Sequence, residues 1–252
     1  MASSLDEQYS PWIRVFHPSA QTRVRLVCLP HAGGSASWFH PMSAALTPDV
    51  EVLAVQYPGR QERRLEPSFA DIAEAADRIT DALTPWRDGP LALFGHSMGA
   101  TIAYEVALRL EATGTRPAVL FASGRRAPSR VRNEHIHELP DSGLLAELRA
   151  MSGTDMSLLD DPDMRALLLP TLRSDYRAAE TYRHREGDRV DCPVFALTGD
   201  RDPRADVEDV ATWREHTKGA FEMRVFPGGH FYLTESGEVV DLVRDHLLAV
   251  SV

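Results

Sequence analysis

The stretch LALFGHSMGA, residues 91–100, decides the fold class of the whole chain. Four apolar residues open it, as in a buried strand, and the sequence TIAYEVAL that follows has the composition of a helix. Between the two stands G-x-S-x-G, the pattern of a sharp strand-to-helix turn that lifts a serine above a sheet edge. Side chains at Gly95 or Gly99 would collide with the neighbouring strand and helix. The pattern predicts that Ser97 is a nucleophile, and the alternative is an ordinary serine in a tight turn.

Composition limits the class of protein. The chain has 252 residues, of which 43% are hydrophobic and 25% charged, as in a globular enzyme of one large or two small domains. The formal net charge of −10 argues against a nucleic-acid-binding protein. No apolar run approaches the ~18 residues that cross a bilayer, and the first residues lack signal-peptide features, so a cytoplasmic protein is expected. Cys28 and Cys192 lie in strand-like runs and are expected to be buried, reduced thiols.

Strands and helices alternate on both sides of the central stretch. Strand-like runs lie at residues 12–16, 23–29, 50–55, 118–122, 193–198 and 221–226, and helical patterns at 68–83, 207–216 and 237–249. In the helix at 68–83, Ser68 is the expected N-cap and Asp71 its capping-box partner. Alternation at this spacing predicts an α/β protein with a mostly parallel central sheet flanked by helices.

The alternation stops between residues 124 and 188, where two helical patterns occur and no convincing strand. The first carries an apolar stripe that includes Leu144 and Leu145. The second spans residues 162–183 and begins with Asp161 as its cap. An insertion of this length would lie over the strand ends near the serine, so we predict a lid, with a stabilising subdomain as the alternative. The single domain is then divided into an N-terminal core part at 1–123, the helical lid at 124–188 and a C-terminal core part at 189–252.

A serine hydroxyl becomes a good nucleophile only when a base removes its proton and an acid orients that base. When a serine stands at such a turn, the acid and then the histidine follow it along the chain. The sequence GDRDP at 199–203 follows one predicted strand, and PGGHF at 227–231 follows the next. His230 is therefore the candidate base. Asp202 is the candidate acid because it stands three residues after the glycine, while Asp200 is expected to accept backbone hydrogen bonds in the turn.

The tetrahedral intermediate of acyl transfer needs two N–H donors for its oxyanion. Met98 directly follows the serine and offers the first backbone donor. The sequence PHAGG at 30–34, which follows a predicted strand, is a variant of the HGGG-type loop and offers the N–H of Ala32 as the second. His96 lies within the turn itself, where its ring is expected to pack below the serine and not to act as a base.

These motifs together resemble the type II thioesterases of polyketide and nonribosomal peptide synthesis. The resemblance rests on five segments spread over nearly the whole chain, namely LPHAGG (29–34), YPGR (57–60), FGHSMG (94–99), GDRDP (199–203) and FPGGHF (226–231). It implies the α/β-hydrolase fold, a triad of Ser97, Asp202 and His230, and an oxyanion hole formed by Ala32 and Met98. It also implies hydrolysis of stalled or aberrant acyl groups from the phosphopantetheine arm of acyl or peptidyl carrier proteins. No cofactor is implied beyond the arm that the substrate brings.

The motifs leave several functions open. A serine site of this kind also opens oxygen esters, so a carboxylesterase or lipase fits the same residues, as does an acyltransferase or cyclase of the same fold. The intact triad disfavours a catalytically inactive binding protein. No metal site is predicted, because His135 and His137 lack a third ligand at suitable spacing and are expected at the surface.

A carrier domain is generally acidic and this chain is acidic too, so docking requires a local basic surface. The densest basic run follows the predicted strand at 118–122 and contains Arg125, Arg126, Arg130 and Arg132. We predict that this run docks the carrier, with solvated surface arginines as the alternative. A monomer is expected.

Overall fold

A mostly parallel sheet forms the centre of the molecule. The computed structural model describes residues 10–151, 161–234 and 237–250. Its strands are β1 (Ile13–Arg14), β2 (Val24–Leu29), β3 (Val50–Val55), β4 (Leu91–His96), β5 (Leu120–Ser123), β6 (Val194–Gly199) and β7 (Phe221–Phe226). They lie in the order β1-β3-β2-β4-β5-β6-β7, and only the pairing of β1 with β3 is antiparallel. The predicted parallel sheet is confirmed.

Helices cover both faces of this sheet. They are α1 (His40–Leu46), α2 (Ile72–Ala82), α3 (Met98–Ala112), α4 (Asp141–Met151), α5 (Pro162–Thr181), α6 (Val207–Ala211) and α7 (Glu238–Val250). Successive residues of β2 alternate between two cores, with Val27 packing among residues of α2 and α3, and Cys28 among residues of α1 and α7. Because side chains of a strand point alternately to its two faces, the two helix pairs lie on opposite sides of the sheet.

The direction of the strands places the site. In a parallel sheet all carboxyl ends meet at one edge, and ligands bind there. The loops that follow β2, β4, β6 and β7 therefore lie near one another. These loops contain the segments that the sequence singles out: residues 30–34, Ser97, residues 200–203 and residues 227–230.

Some element bounds differ from the sequence-based expectation. The strand expected at 12–16 contains only the two residues of β1, which pair at the edge of the sheet. The N-cap of α2 is Asp71 and not Ser68, because Asp71 accepts a hydrogen bond from the backbone N–H of Glu74 at 2.9 Å. The carboxylate of Glu74 in turn accepts from the N–H of Ala70 at 2.8 Å. A D-x-x-E box therefore starts the helix, three residues later than expected.

The described part of residues 124–188 contains the helices α4 and α5 and no strand. Residues 152–160 of the predicted lid lie outside the described part of the chain. As expected, Asp161 caps α5, accepting from the N–H of Asp163 at 2.8 Å. Leu144 and Leu145 of α4 pack against Leu172 of α5 in a small core of their own. The bounds of the insertion and its role as a lid stay predictions.

Both cysteines are buried free thiols, as predicted. Burial raises the pKa of the Cys28 thiol well above its ordinary value, which leaves the thiol protonated and unreactive. In the residues that the structure describes, no helix combines the length and the apolar character needed to cross a membrane.

Candidate active site

The turn between β4 and α3 holds Ser97 in a strained conformation, with φ of 56° and ψ of −120°. The surrounding backbone is too close for any side chain at the two flanking glycines. A Cβ on Gly95 would lie 2.2 Å from the carbonyl oxygen of Gly99, and one on Gly99 would lie 2.1 Å from that of Leu29. The N–H of Ser97 donates to the carbonyl of Ser123 at 2.8 Å. Close packing of β2, β4, β5 and α3 therefore fixes the turn and presents the serine hydroxyl at the strand ends.

The structure brings His230 and Asp202 together. Both are buried, with 2% and 5% of their surfaces exposed. The Nδ1 of His230 lies 2.9 Å from Oδ2 and 3.0 Å from Oδ1 of Asp202. The backbone N–H of Arg204 also donates to the Asp202 carboxylate at 2.8 Å. Because the carboxylate orients Nδ1–H toward itself, the Nε2 of the ring is left to accept a proton. His230 and Ser97 line the same cavity.

Asp200 has a different partner. Its carboxylate accepts a hydrogen bond from the backbone N–H of Gly228 at 2.8 Å. Its own N–H donates to the carbonyl of Phe226 at 2.8 Å. Asp200 thus ties the turn after β6 to the loop that carries His230, and it is Asp202 that contacts the imidazole.

The two backbone donors expected for an oxyanion open onto the same cavity, since Ala32 and Met98 are among its lining residues. Met98 is the first residue of α3, so its N–H has no acceptor within the helix and lies at the positive end of the helix dipole. The N–H of Ala32 donates to none of the described residues. Both amides are therefore free to donate to an oxygen placed near Ser97.

Two further histidines lie near the serine, His96 within the turn and His31 in the wall of the cavity. The His96 ring is fully buried and stacks on Trp38. A hydrogen bond of 2.9 Å joins its Nδ1 to the hydroxyl of Ser123. Burial lowers the pKa of His96 well below its ordinary value, and that of His31 to about 3. Both rings are therefore neutral near pH 7 and add no positive charge to the site.

The cavity at the serine has a volume of about 670 Å³, including its open mouth. Its wall contains five charged side chains, those of Arg125, Arg126, Glu134, Glu180 and Arg204. No sequence motif marks the last three as part of the site, because they reach it from different segments of the chain. Glu134 forms ion pairs with Arg126 at 3.3 Å and with Arg204 at 3.1 Å, and Glu147 also pairs with Arg204, so two carboxylates balance these two guanidiniums.

Arg125 differs from the other arginines of the wall. It donates to the hydroxyl of Thr101 at 3.1 Å and to the carbonyl of Ala179 at 3.2 Å. Within the described residues, no carboxylate lies within ion-pairing distance of it. Burial lowers the pKa of its guanidinium to about 10, so the group is still charged near pH 7.

Only part of the predicted basic docking patch lies at a free surface, and its docking of a carrier stays a prediction. Arg125 and Arg126 line the cavity, and Arg126 is only 5% exposed. Arg132 forms ion pairs with Asp206 and with Asp209, the latter at 2.9 Å. Sequence shows the positive charges of this run, but the carboxylates that pair with Arg130 and Arg132 come from Asp206 and Asp209, where α6 begins.

The other histidines of the sequence analysis lie apart from the serine. His135 is exposed, as expected, whereas His137 is half-buried and its ring contacts the carboxylate of Glu180. Across residues 10–151, 161–234 and 237–250, no group of three or more side chains is arranged to hold a metal ion.

A parallel sheet of this order, with a strained serine after the central strand β4 and a histidine–carboxylate pair after β7 and β6, defines the α/β-hydrolase fold. Residues 24–247 match the model of the thioesterase domain family, so the chain belongs to that family and is a thioester hydrolase.

Known thioesterases are similar to it over nearly their whole length. Thioesterase PikA5 of Streptomyces venezuelae is 53% identical over 240 residues, which cover 94% of this chain and 85% of the relative. Among solved structures, the type II thioesterase BorB from the borrelidin biosynthetic cluster superposes with a TM-score of 0.88 at 47% identity, covering 95% of this chain and 98% of that one. YbtT, a type II thioesterase from the yersiniabactin NRPS/PKS pathway, gives a TM-score of 0.87 at 28% identity, with coverage of 96% and 100%.

Proposed function

We propose that the protein is a type II thioesterase that removes acyl groups from the phosphopantetheine arm of carrier proteins in polyketide or nonribosomal peptide synthesis. In this proposal Ser97 is the nucleophile, His230 the base and Asp202 the residue that orients the base. The N–H groups of Met98 and Ala32 form the oxyanion hole. The observation that carries it is that the strained Ser97 and His230 line one cavity, with His230 bound to the buried carboxylate of Asp202.

The reaction has two halves. The Ser97 hydroxyl attacks the thioester carbonyl while the Nε2 of His230 takes its proton, and the two amides hold the resulting oxyanion. The C–S bond then breaks, and the imidazolium returns the proton to the departing thiolate of the arm. Water, deprotonated by the same histidine, next attacks the acyl-serine ester. Release of the serine alkoxide, which recovers the proton, yields the free acid and the original enzyme.

The wall of the cavity supports a short or oxygenated acyl group as the substrate. A long alkyl chain beside the buried Arg125 guanidinium, whose described partners are a hydroxyl and a carbonyl, would offer this charge no hydrogen-bond acceptor. A hydroxyl or keto oxygen on the acyl group would instead accept from it.

A carrier protein as partner is supported by the names of the similar proteins, which come from biosynthetic clusters and NRPS/PKS pathways. The independence from a cofactor, the monomeric state and the cytoplasmic location expected from the sequence stay predictions.

The experiment compares three substrates that carry the same acyl group: a loaded carrier protein, an acyl-pantetheine and a nitrophenyl ester. We expect kcat/KM to be highest for the loaded carrier and the product to be the free acid. Equal or higher kcat/KM for the nitrophenyl ester would favour a carboxylesterase. Transfer of the acyl group to an added amine or alcohol in preference to water would favour an acyltransferase or cyclase.

A further inference from the structure

A buried ion pair joins helix α5 to the loop after β3. Arg60 is 6% exposed and Asp175 is fully buried. The guanidinium holds the carboxylate with two parallel hydrogen bonds, from Nη1 to Oδ2 and from Nη2 to Oδ1, each 2.9 Å long. A paired, bidentate geometry of this kind fixes the relative position of the two elements more tightly than a single contact does.

The same two side chains also hold the loop after β2, residues 31–34, which we call the oxyanion loop. The Oδ2 atom of Asp175 accepts the backbone N–H of Gly33 at 2.8 Å. The Nη1 atom of Arg60 donates to the carbonyl of Gly34 at 2.9 Å. Two backbone groups of this loop, the Gly33 N–H directly after Ala32 and the Gly34 carbonyl, are thus bound to one ion pair, which is shielded from water.

One face of α5 makes all of these contacts. Thr171 and Asp175 are one helical turn apart and point the same way. The hydroxyl of Thr171 donates to the carbonyl of Gly59 at 2.8 Å. Leu172 packs so closely on the oxyanion loop that a Cβ on Gly33 would lie 2.9 Å from its Cδ1. Gly33 has a φ of +76°, which also favours glycine at this position.

We infer that Asp175 is a positioning residue that sets the oxyanion hole through Gly33, and so couples the placement of α5 to catalysis. The inference rests on the proposed role of the Ala32 N–H as an oxyanion donor. The peptide that follows Ala32 ends in the N–H that Asp175 holds, so a shift of the carboxylate turns the neighbouring amide. A movement of α5 would therefore weaken the oxyanion hole without touching Ser97, His230 or the acyl chain.

The test uses Asp175→Asn and a charge-free double variant, Arg60→Met with Asp175→Leu. The double variant leaves no buried charge without a partner, so it keeps the experiment informative if the single variant unfolds. The substrate is an acyl-N-acetylcysteamine thioester, and the probe is a trifluoromethyl ketone analogue of the acyl group. Addition of the serine to this ketone forms a stable oxyanion, and its inhibition constant therefore reports on the oxyanion hole.

We expect kcat to fall about 10- to 100-fold in folded variants, because a donor misplaced by an ångström or lost has effects of this order. The inhibition constant of the ketone should rise by the same factor, and KM should change little. Arg173→Met is the matched control, since it removes contacts of the same helix, with the carbonyls of His137 and Leu139, that do not reach the oxyanion loop. It should lower Tm and leave kcat unchanged.

Two results would overturn the inference: an unchanged kcat in a folded variant, or a reduced kcat with an unchanged inhibition constant. Failure of the proposed serine mechanism gives a different result, because the wild-type protein would then form no covalent adduct with the ketone, and a different substrate class shows in the comparison of the three substrates above. The adduct is observed directly by the ¹⁹F resonance of the bound ketone.

Discussion

The turn that carries Ser97 and the helix α5 that lines the cavity are held in place by different kinds of contact. At the turn, the deciding residues are Gly95 and Gly99, each two positions from the serine, and the constraint is backbone packing. In α5, the deciding residue is Asp175, whose partner Arg60 is 115 positions away along the chain. The difference indicates that the proposed nucleophile is encoded locally, whereas the oxyanion loop and the cavity wall depend on long-range pairs of ordinary charged residues.

The largest effect is expected from a substitution in the turn that carries Ser97, which leaves the long-range contacts of α5 unchanged. Ser97→Ala should lower turnover by about 10⁴- to 10⁶-fold, as for other members of a catalytic triad. The fold should be unaffected, because alanine adopts the strained turn no less readily than serine and the flanking glycines remain. Turnover on a loaded carrier and Tm are measured side by side. Hydrolysis near the wild-type rate by the folded variant would exclude Ser97 as the nucleophile.

The two aspartates after β6 sharpen the comparison within the core. Asp202→Asn should lower kcat on the order of 10⁴-fold, because an amide at this position stabilises the wrong imidazole tautomer. Asp200→Asn serves as the matched control, since its carboxylate binds the N–H of Gly228 and not the imidazole. It should lower the stability of the His230 loop with a much smaller effect on kcat. The reverse outcome would exchange the roles of the two residues.

The local part of the site could be predicted from sequence, because each residue stands next to a marker of backbone geometry. Glycines flank Ser97, a Pro-Gly-Gly turn precedes His230, and Gly199 precedes Asp202 by three positions. The parallel sheet could be predicted for the same reason, since apolar runs of strand length alternate with helical patterns.

The long-range part could not be predicted, because a sequence does not show which charges meet. Arg132 was expected to be free for a partner, yet Asp206 and Asp209 lie 74 and 77 positions away and neutralise it. No motif and no periodic pattern in the sequence of α5 marks Asp175 as the partner of Arg60. The expectation that Ser68 is the N-cap was wrong for a related reason. Two residues that can cap a helix stand three positions apart, and it is Asp71 that accepts the backbone N–H of Glu74.

The cavity wall offers a test of intermediate size. Arg125→Met should raise kcat/KM for an octanoyl thioester relative to a propionyl thioester by about tenfold, because changes of a few methylenes or one polar contact in a pocket are of this order. The physical reason is that the methionine removes a charge to which an alkyl chain offers no hydrogen-bond acceptor. Arg130→Gln is the control, since Arg130 belongs to the same basic run, is about half exposed and lies outside this cavity. An unchanged ratio in the folded Arg125 variant would contradict our account of the acyl group.

The smallest expected effect is a change in how Tm depends on pH. It is tested by comparing a variant of His96, in the core, with a variant of His135, which is exposed near α4. His96 is buried and neutral in the folded protein, its pKa lowered by burial, whereas in the unfolded chain it titrates near ~6.5 like any histidine. Below that pH the unfolded state binds a proton that the folded state does not, so His96 contributes stability above about pH 6.5 that is lost as the pH falls.

In His96→Gln this contribution is absent, and Tm should fall less between pH 7 and pH 4.5 than in the wild-type protein, by on the order of a few degrees. His135→Gln, at an exposed position, is the control for the same change of residue outside the core. Parallel curves for all three proteins would show that the His96 ring is not held neutral by its burial.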